Sequence, residues 1–394
     1  MKDAIRVAII GAGIGGLAAA RALAMRGAEV TVYEQAPEIA EVGAGLQVSP
    51  NGMKVLDALG LGAGLRASGA PMAGAVCLKD YRGADVLRLD LKRLGARGYH
   101  CVHRADLIGL LADGAREAGA KLRLLQKVER VKGGAEPAVV FGTGGEARFD
   151  LVVGADGVHS VVRPVLNGQA HPFFTGHAAW RAVIPNATGR ESEVWVHMGP
   201  GRHLVSYPLR GGKLLNLVAV QEQSAWVEES WALEDDPANL RAAFSDFGTE
   251  AQEMLGAVER VGFWGLFRHE VAARWHGEGL ALLGDAAHPT LPFLAQGAVM
   301  ALEDAWVLAD ALTAHADLAV GLASYQARRE ARVRRVVRAA TGNARKYHLR
   351  FPPLRVAAHG ALRLGGALAP GLMMRRFDWL YGHDVTAERG APEA

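Results

Sequence analysis

RVAIIGAGIGGLAAARALAMRGAEVTVYE, residues 6–34, decides the fold of this chain. Arg6 to Ile10 is a short apolar run that reads as a buried strand. Ile14 to Met25 is an alanine-rich helix that stops at Gly27, a residue free to take the left-handed cap conformation. Glu29 to Glu34 is the second strand. Between the first strand and the helix, Gly11, Gly13 and Gly16 form G-x-G-x-x-G. The first glycine permits the tight turn, the second lets a pyrophosphate approach the backbone, and the third lets the helix pack on the strand. The helix N-terminal amides then face an anion. Glu34 follows Gly13 by 21 residues, near the spacing of about 20 at which a carboxylate meets an adenosine ribose. This βαβ opening predicts a dinucleotide site and leaves NAD and FAD both open.

Outward from it, Pro50 to Leu59 reads as a helix with Ser49 as N-cap and Gly60 and Gly62 as stops. Ala105 to Glu117 carries Leu107, Leu110, Leu111 and Ala115 at helical spacing, and Leu151 to Val153 is a short strand ending in Gly154. Between about 170 and 270 the texture changes. Tryptophan and β-branched residues alternate with polar ones, as in Val194, Trp195 and Val196 and in His203 to Pro208, which predicts a separate antiparallel sheet. Leu280 to Leu283 returns to a buried strand, and a helix follows from about Ala298 to Leu312. The expected cofactor domain is therefore discontinuous, covering 1–70, 101–170 and 271–345. Residues 71–100 and 171–270 form an inserted substrate domain, and 346–394 a helical tail.

The chain has 394 residues, half of them apolar, which is enough to bury a large core. Its 44 basic and 41 acidic residues leave a net charge of +3, too little for a nucleic-acid surface, so a small-molecule partner is expected. Cys77 and Cys101 match no zinc or redox spacing and read as ordinary buried thiols of a cytoplasmic protein, monomeric or homodimeric. No export signal is visible at the N-terminus. The apolar stretch Ala361 to Met374 is too short and too interrupted to cross a bilayer, which needs about 20 residues. From Arg328 to Arg338, six arginines alternate with Val333, Val336 and Val337, which predicts an amphipathic helix with a solvated basic face. No metal site is expected, since His288 has no partner at ligand spacing.

The second informative stretch is Leu282, Leu283, Gly284, Asp285, Ala286, Ala287, His288 and Pro289, a buried strand delivering a Gly-Asp pair to a loop and a helix. With Gly11 to Gly16, with Gly154, Ala155, Asp156, Gly157 and Arg163, and with Ala295, Gln296 and Gly297, it makes the chain resemble the single-component FAD-dependent aromatic hydroxylases. That group contains salicylate, 3-hydroxybenzoate and 6-hydroxynicotinate monooxygenases, and the likeness runs to about residue 345. It implies an α/β fold like that of p-hydroxybenzoate hydroxylase: a Rossmann-type FAD-binding domain, an inserted mixed or antiparallel sheet domain over the flavin, and a helical C-terminal part. It also implies FAD, with NADH or NADPH as transient electron donor and O2 as co-substrate, acting through a flavin hydroperoxide on a small phenolic acid.

By the same resemblance, Asp285 binds the ribityl chain, Asp156 serves both FAD and the pyridine nucleotide, and Arg104 contacts FAD. Gly297 and Ala298 would put a positive helix end beside the flavin, worth about 0.3–2 kcal/mol according to burial. On the substrate side, His203 and Tyr207 match a His and Tyr pair that points at the substrate in the hydroxybenzoate and hydroxynicotinate branch. On one strand face they stand ~13 Å apart at about 3.3 Å per residue. Gln296 is a candidate substrate hydrogen-bonder. Gln47, in the Gly43 to Pro50 loop, and Arg181, as a carboxylate clamp, are weaker candidates. Met300 departs from the Asn that many relatives carry there, as some salicylate-type members also do. Two rival readings share the scaffold: a flavin dehydrogenase or oxidase, and a non-catalytic FAD-binding protein.

Overall fold

The computed structural model describes residues 4–39, 45–187, 189, 191–224 and 234–387. Two large sheets organise it. The first has six strands, in the order 276–277, 280–282, 151–154, 6–10, 29–33 and 121–123. All of its pairs are parallel except the edge pair of 276–277 with 280–282. Buried on both faces, its central strands are the unbroken apolar runs that parallel pairing requires.

Register decides where the motifs go. Ile10 pairs with Tyr33 on one side and with Gly154 on the other, and Gly154 pairs with Leu282. The residues that follow these four positions, Gly11, Glu34, Ala155 and Leu283, therefore emerge in one row at the carboxyl edge of the sheet. That edge is where open parallel sheets bind ligands.

The second sheet has eight strands, in the order 234–235, 261–268, 173–185, 214–222, 202–209, 193–199, 75–80 and 85–90. It is antiparallel apart from the pair joining Glu193–Gly199 to Ala75–Asp80. Alternation along its strands separates two faces. Trp180, Leu204, Leu215 and Leu217 pack with Leu240 and Leu255 of two short helices, Pro237–Ala243 and Thr249–Gly256, and with Phe244 and Phe247 between them. Ala179, Val220, Trp264 and Leu266 face the other way, against Leu291, Phe293 and Ala344. A smaller antiparallel sheet of 128–132, 138–141 and 146–148 lies within the segment between the first two motifs and had no expectation of its own.

The long helices correct one expectation. The basic stretch falls in a helix running Leu318–Tyr347, but it is not simply a solvated face, since Arg329 is fully buried. Its Nε donates to Asp304 Oδ1 at 2.8 Å, and its Nη1 lies 2.8 Å from Glu303 Oε2. Arg332 donates to both oxygens of Glu303. Asp304 Oδ2 meanwhile accepts the backbone N–H of Gly284 and bonds His288 Nε2 at 2.6 Å. Glu303 accepts from Asn51, which also donates to Gln296, and Gln296 donates to Ser49. Ser49 sits at the helix N-cap position, yet its hydroxyl donates to Asn51 rather than capping. Burial opposes ionisation of both carboxylates. The Arg329 guanidinium, with Arg332 and Asn51 at Glu303 and with His288 at Asp304, overcomes it and holds each near a pKa of about 2.

The described part of the tail forms three helices, Pro352–Leu368, Pro370–Arg375 and Asp378–Tyr381, and leaves Leu364, Leu368 and Leu372 exposed. Among the described residues, no helix is long and apolar enough to cross a membrane.

Two experiments test this architecture. A Cβ at Gly16 would stand 2.0 Å from Gly11 O, whereas one at Gly13 meets nothing within 4 Å. Gly16→Ala is therefore expected to lower the melting temperature of the free protein, at a cost of about 1–3 kcal/mol or more. Gly13→Ala should leave it unchanged and weaken dinucleotide binding, read by fluorescence titration with FAD; equal melting temperatures for the two variants would refute the packing argument. Arg329→Ala strands two buried carboxylates and should destabilise by about 3–5 kcal/mol in denaturant titration. Both carboxyl pKa values are depressed on folding, so their stabilisation is present above about pH 4.5 and is lost as pH falls towards 2. The wild-type acid-unfolding limb should lie there and flatten in the variant.

Candidate active site

The glycine loop is built as its spacing demands. Gly11 has φ +99°, and a Cβ there would strike Ala155 O at 2.6 Å, so the loops after strands 6–10 and 151–154 close against each other. Gly13 faces open space. The Glu34 carboxylate accepts the backbone N–H groups of Ala12 and Ala36, which fixes it beside the loop at the end of its strand.

The second and third motifs are tied together by Arg163. It is buried and donates to the carbonyls of Ala286, Ala287 and Glu270, so the Asp156 loop and the Asp285 loop cannot move apart. Asp156 Oδ2 accepts from Val161 N, while its buried Oδ1 has no hydrogen-bond partner. Burial raises the Asp156 carboxyl pKa. Asp285 is exposed to solvent, yet surrounded closely enough by protein that desolvation raises its pKa too, against the pull of His288 and Arg104. Arg104 begins the helix Arg104–Glu117; burial, and then the charge of Arg181, lower it to about 10. The helix Gly297–Ala314 starts directly after Gln296 and directs its first amides, at Gly297 and Ala298, out of the core. An open glycine, an acceptor oxygen lacking a donor, an accessible carboxylate and a helix N-terminus on one sheet edge fit a flavin dinucleotide.

On the second sheet, His203, Val205 and Tyr207 share the face that looks away from the two short helices. Register adds Asn216 opposite Tyr207, Val220 opposite His203, and Arg181 beside Val218. His203 is 1 % exposed and lies among Phe293, Tyr347 and His348, with ring centroids 5.1, 5.3 and 4.9 Å away. Burial, then His348 and His177, push its pKa well down, so the imidazole is neutral. Tyr207 is 3 % exposed, with Gln47 and Asn216 among the polar groups beside it; burial raises its pKa, so it keeps its proton. Arg181 is 5.0 Å from the Trp264 ring centroid, and its charge reaches both Tyr207 and Arg104.

Gln296 and the weaker candidate Gln47 are both engaged within the protein. Gln296 is 1 % exposed, with its amide engaged by Ser49 and Asn51, so it anchors the loop instead of reaching outward. Gln47 is not a solvent-facing loop residue: it lies in the strand Gly45–Val48, accepts the Tyr99 hydroxyl at 2.6 Å and meets Tyr207. Gly43, at the start of that loop, lies outside the described residues. The sequence reading missed Tyr99, Tyr381 and Asn216, which pack around Tyr207 and Gln47. It also missed His348, which reaches His203 from beyond the long basic helix. Only Glu303 and Asp304 carried a signal, as an acidic pair inside an otherwise apolar helix.

Comparison with known proteins agrees with this geometry. Residues 4–340 match the family model described as an FAD binding domain. A 3-amino-4-hydroxybenzoate 2-monooxygenase of Streptomyces platensis is 38 % identical over 360 residues, covering 87 % of this chain and 89 % of the relative. The 3-hydroxybenzoate 6-hydroxylase of Polaromonas naphthalenivorans is 36 % identical, covering 96 % of each chain. Among solved structures, HpxO of Klebsiella pneumoniae, complexed with FAD and uric acid, superposes with a TM-score of 0.84 at 27 % identity, over 95 % of this chain and 97 % of that one. Three motif loops aligned by strand register on one sheet edge, facing a second sheet that brings its own polar side chains, make this chain a member of the FAD-dependent aromatic hydroxylase family.

Proposed function

We propose that this protein is an NAD(P)H- and O2-dependent flavoprotein monooxygenase that hydroxylates a small phenolic acid. The observation that carries the reading is that a neutral buried imidazole, a protonated buried phenol and a guanidinium, at His203, Tyr207 and Arg181, share the sheet face against which Phe293 packs. Bound FAD supplies the oxygen chemistry. The Gly11 to Gly16 loop, Glu34, Arg104, Asp156 and Asp285 would hold it, and the helix start at Gly297 and Ala298 would favour negative charge on its ring.

The remaining work belongs to the chain's own side chains. Arg181, whose charge adds to that of Arg104, offers a partner for a substrate carboxylate. A phenol has a pKa of about 10, so holding it as the more reactive phenolate at pH 7 needs a shift of about 3 units, or roughly 4 kcal/mol. His203 takes the phenolic proton on a ring nitrogen. Tyr207 keeps its own proton and orients the substrate by hydrogen bonding, with Gln47 and Asn216 beside it. Gln296 positions the loop under the ring. The names of the relatives put aminohydroxybenzoates and hydroxybenzoates first among candidate substrates. Two free cysteines suit a reducing cytoplasm.

The test is NADH and NADPH oxidation in air across 3-amino-4-hydroxybenzoate, 3-hydroxybenzoate, salicylate and 6-hydroxynicotinate, with peroxide followed in parallel. One compound should accelerate oxidation with little peroxide and gain one oxygen atom. Acceleration by none, or a product without added oxygen, would favour the dehydrogenase or binding-protein reading. His203→Ala should retain FAD while slowing hydroxylation by about 10²–10⁴-fold; an unchanged rate at saturating substrate would remove the imidazole from the mechanism.

A further inference from the structure

His203 does not stand alone. Its Nδ1 lies 2.6 Å from Nε2 of His348, and Nδ1 of His348 lies 3.2 Å from Glu222 Oε1. The other oxygen of Glu222 is paired with Arg350 at 2.6 Å. His203 is fully enclosed, whereas the Glu222 side chain is 33 % exposed. Beside it opens a cavity of about 790 Å³, lined by His177, Glu222, Arg345 and Arg350. Two hydrogen bonds therefore connect the enclosed imidazole to a solvent-facing carboxylate.

The protonation states along this line follow from its chemistry. Burial acts to raise the Glu222 carboxyl pKa, but Arg350 and His348 prevail and lower it, so it is an anion that can only accept. His348, neutral because burial and His177 hold it to about 4, must place its one proton on Nδ1, facing Glu222. Its Nε2 is then a lone pair, and the short contact requires His203 to donate to it from Nδ1. Neutral His203 is left with a lone pair on Nε2. The carboxylate thus sets the tautomer of two rings in series.

We propose that His348 and Glu222 act through His203 as a proton relay, holding its Nε2 as the acceptor and carrying the substrate's phenolic proton to the cavity at Glu222. The inference rests on the aromatic-hydroxylase reading and addresses a difficulty within it. An imidazole this weakly basic is a poor final home for a phenolic proton, so the proton must move on. As the substrate O–H breaks, an N–H forms at His203 Nε2. The His203 Nδ1 proton passes to His348 Nε2, and the His348 Nδ1 proton passes to Glu222 or water. No electrons are exchanged, and the reverse sequence returns the proton when product leaves as a phenol. The titratable groups facing the two rings are His177, Tyr347, Glu222 and Arg350. His177 is held by the Thr175 carbonyl at 2.8 Å and stands beside the line, outside it. His177, Glu222 and His348 also lie close enough together to ligate a cation, which would compete with the proton shared between His348 Nδ1 and Glu222 Oε1.

The experiment uses FAD-loaded enzyme without reductant and the phenolic compound that the substrate panel selects. The pH at which the bound phenol ionises is read by ultraviolet difference spectroscopy, and proton release on binding by an indicator dye. His348→Gln and Glu222→Gln should raise that ionisation pH by about one unit or more and slow proton release at least ~10-fold, with FAD content and melting temperature unchanged. In turnover their kcat should fall at neutral pH and recover as pH rises, with KM little changed. Glu222→Asp, which keeps the charge, should restore part of the effect. If both glutamine variants keep the wild-type ionisation pH and release rate while His203→Ala loses them, the relay is wrong and the His203 assignment stands. If His203→Ala also keeps them, the underlying assignment of the base has failed.

Discussion

The buried charge group at Arg329, Glu303 and Asp304 is the constraint on which the rest of the structure depends. Taking three charges out of water is tolerable only when each is paired and fully hydrogen-bonded. Here the partners that satisfy them are drawn from separate parts of the chain: Asn51 from the first turn of the helix Pro50–Ala58, Gly284 and His288 from the Gly-Asp loop, and Arg332 from the long helix. Satisfying the charges therefore fixes where each loop can stand. The Gly-Asp loop is held in its left-handed turn at Gly284, and Gln296 is locked at the start of the flavin-side helix through Asn51 and Ser49. A wholly apolar contact of the same area would stabilise these elements without specifying their register.

Above that base the site is divided between two sheets. The parallel sheet contributes backbone: glycine turns, a helix N-terminus and carboxylates at strand ends, all suited to a large anionic cofactor. The antiparallel sheet contributes side chains from strand interiors, where alternation puts His203, Tyr207, Asn216 and Arg181 on one rigid surface. Chemistry that depends on positions within a fraction of an ångström is thus carried by strands, and cofactor binding by loops braced from beneath. Arg163 and the Arg329 group brace those loops from two sides.

Burial sets the electrostatics of the substrate face. The same desolvation that keeps Tyr207 protonated keeps His203 and His348 uncharged, beside the Arg181 guanidinium and a Glu222 carboxylate paired with Arg350. An anion entering this face meets positive charge and neutral hydrogen-bonding groups, an environment suited to a carboxylate and to a phenolate formed in place.

The sequence alone determined the βαβ opening, the G-x-G-x-x-G turn with a carboxylate at the end of the next strand, and the change of texture that marks the second sheet, because these are local. Strand and helix periods, glycine turns and a carboxylate at a fixed spacing depend on neighbours within about thirty residues. The resemblance to the aromatic hydroxylases singled out His203 and Tyr207, and a strand's two-residue period places them on one face. Only the tertiary structure decided that Gln296 faces inward, that Arg329 of the basic helix is buried, and that Tyr99, Asn216, His348 and Glu222 surround the two candidates. Those contacts join residues up to 252 apart in the chain. An arginine at a helix surface and one at its core have the same local pattern. What separates them is a pair of carboxylates on another helix, which only packing brings within reach.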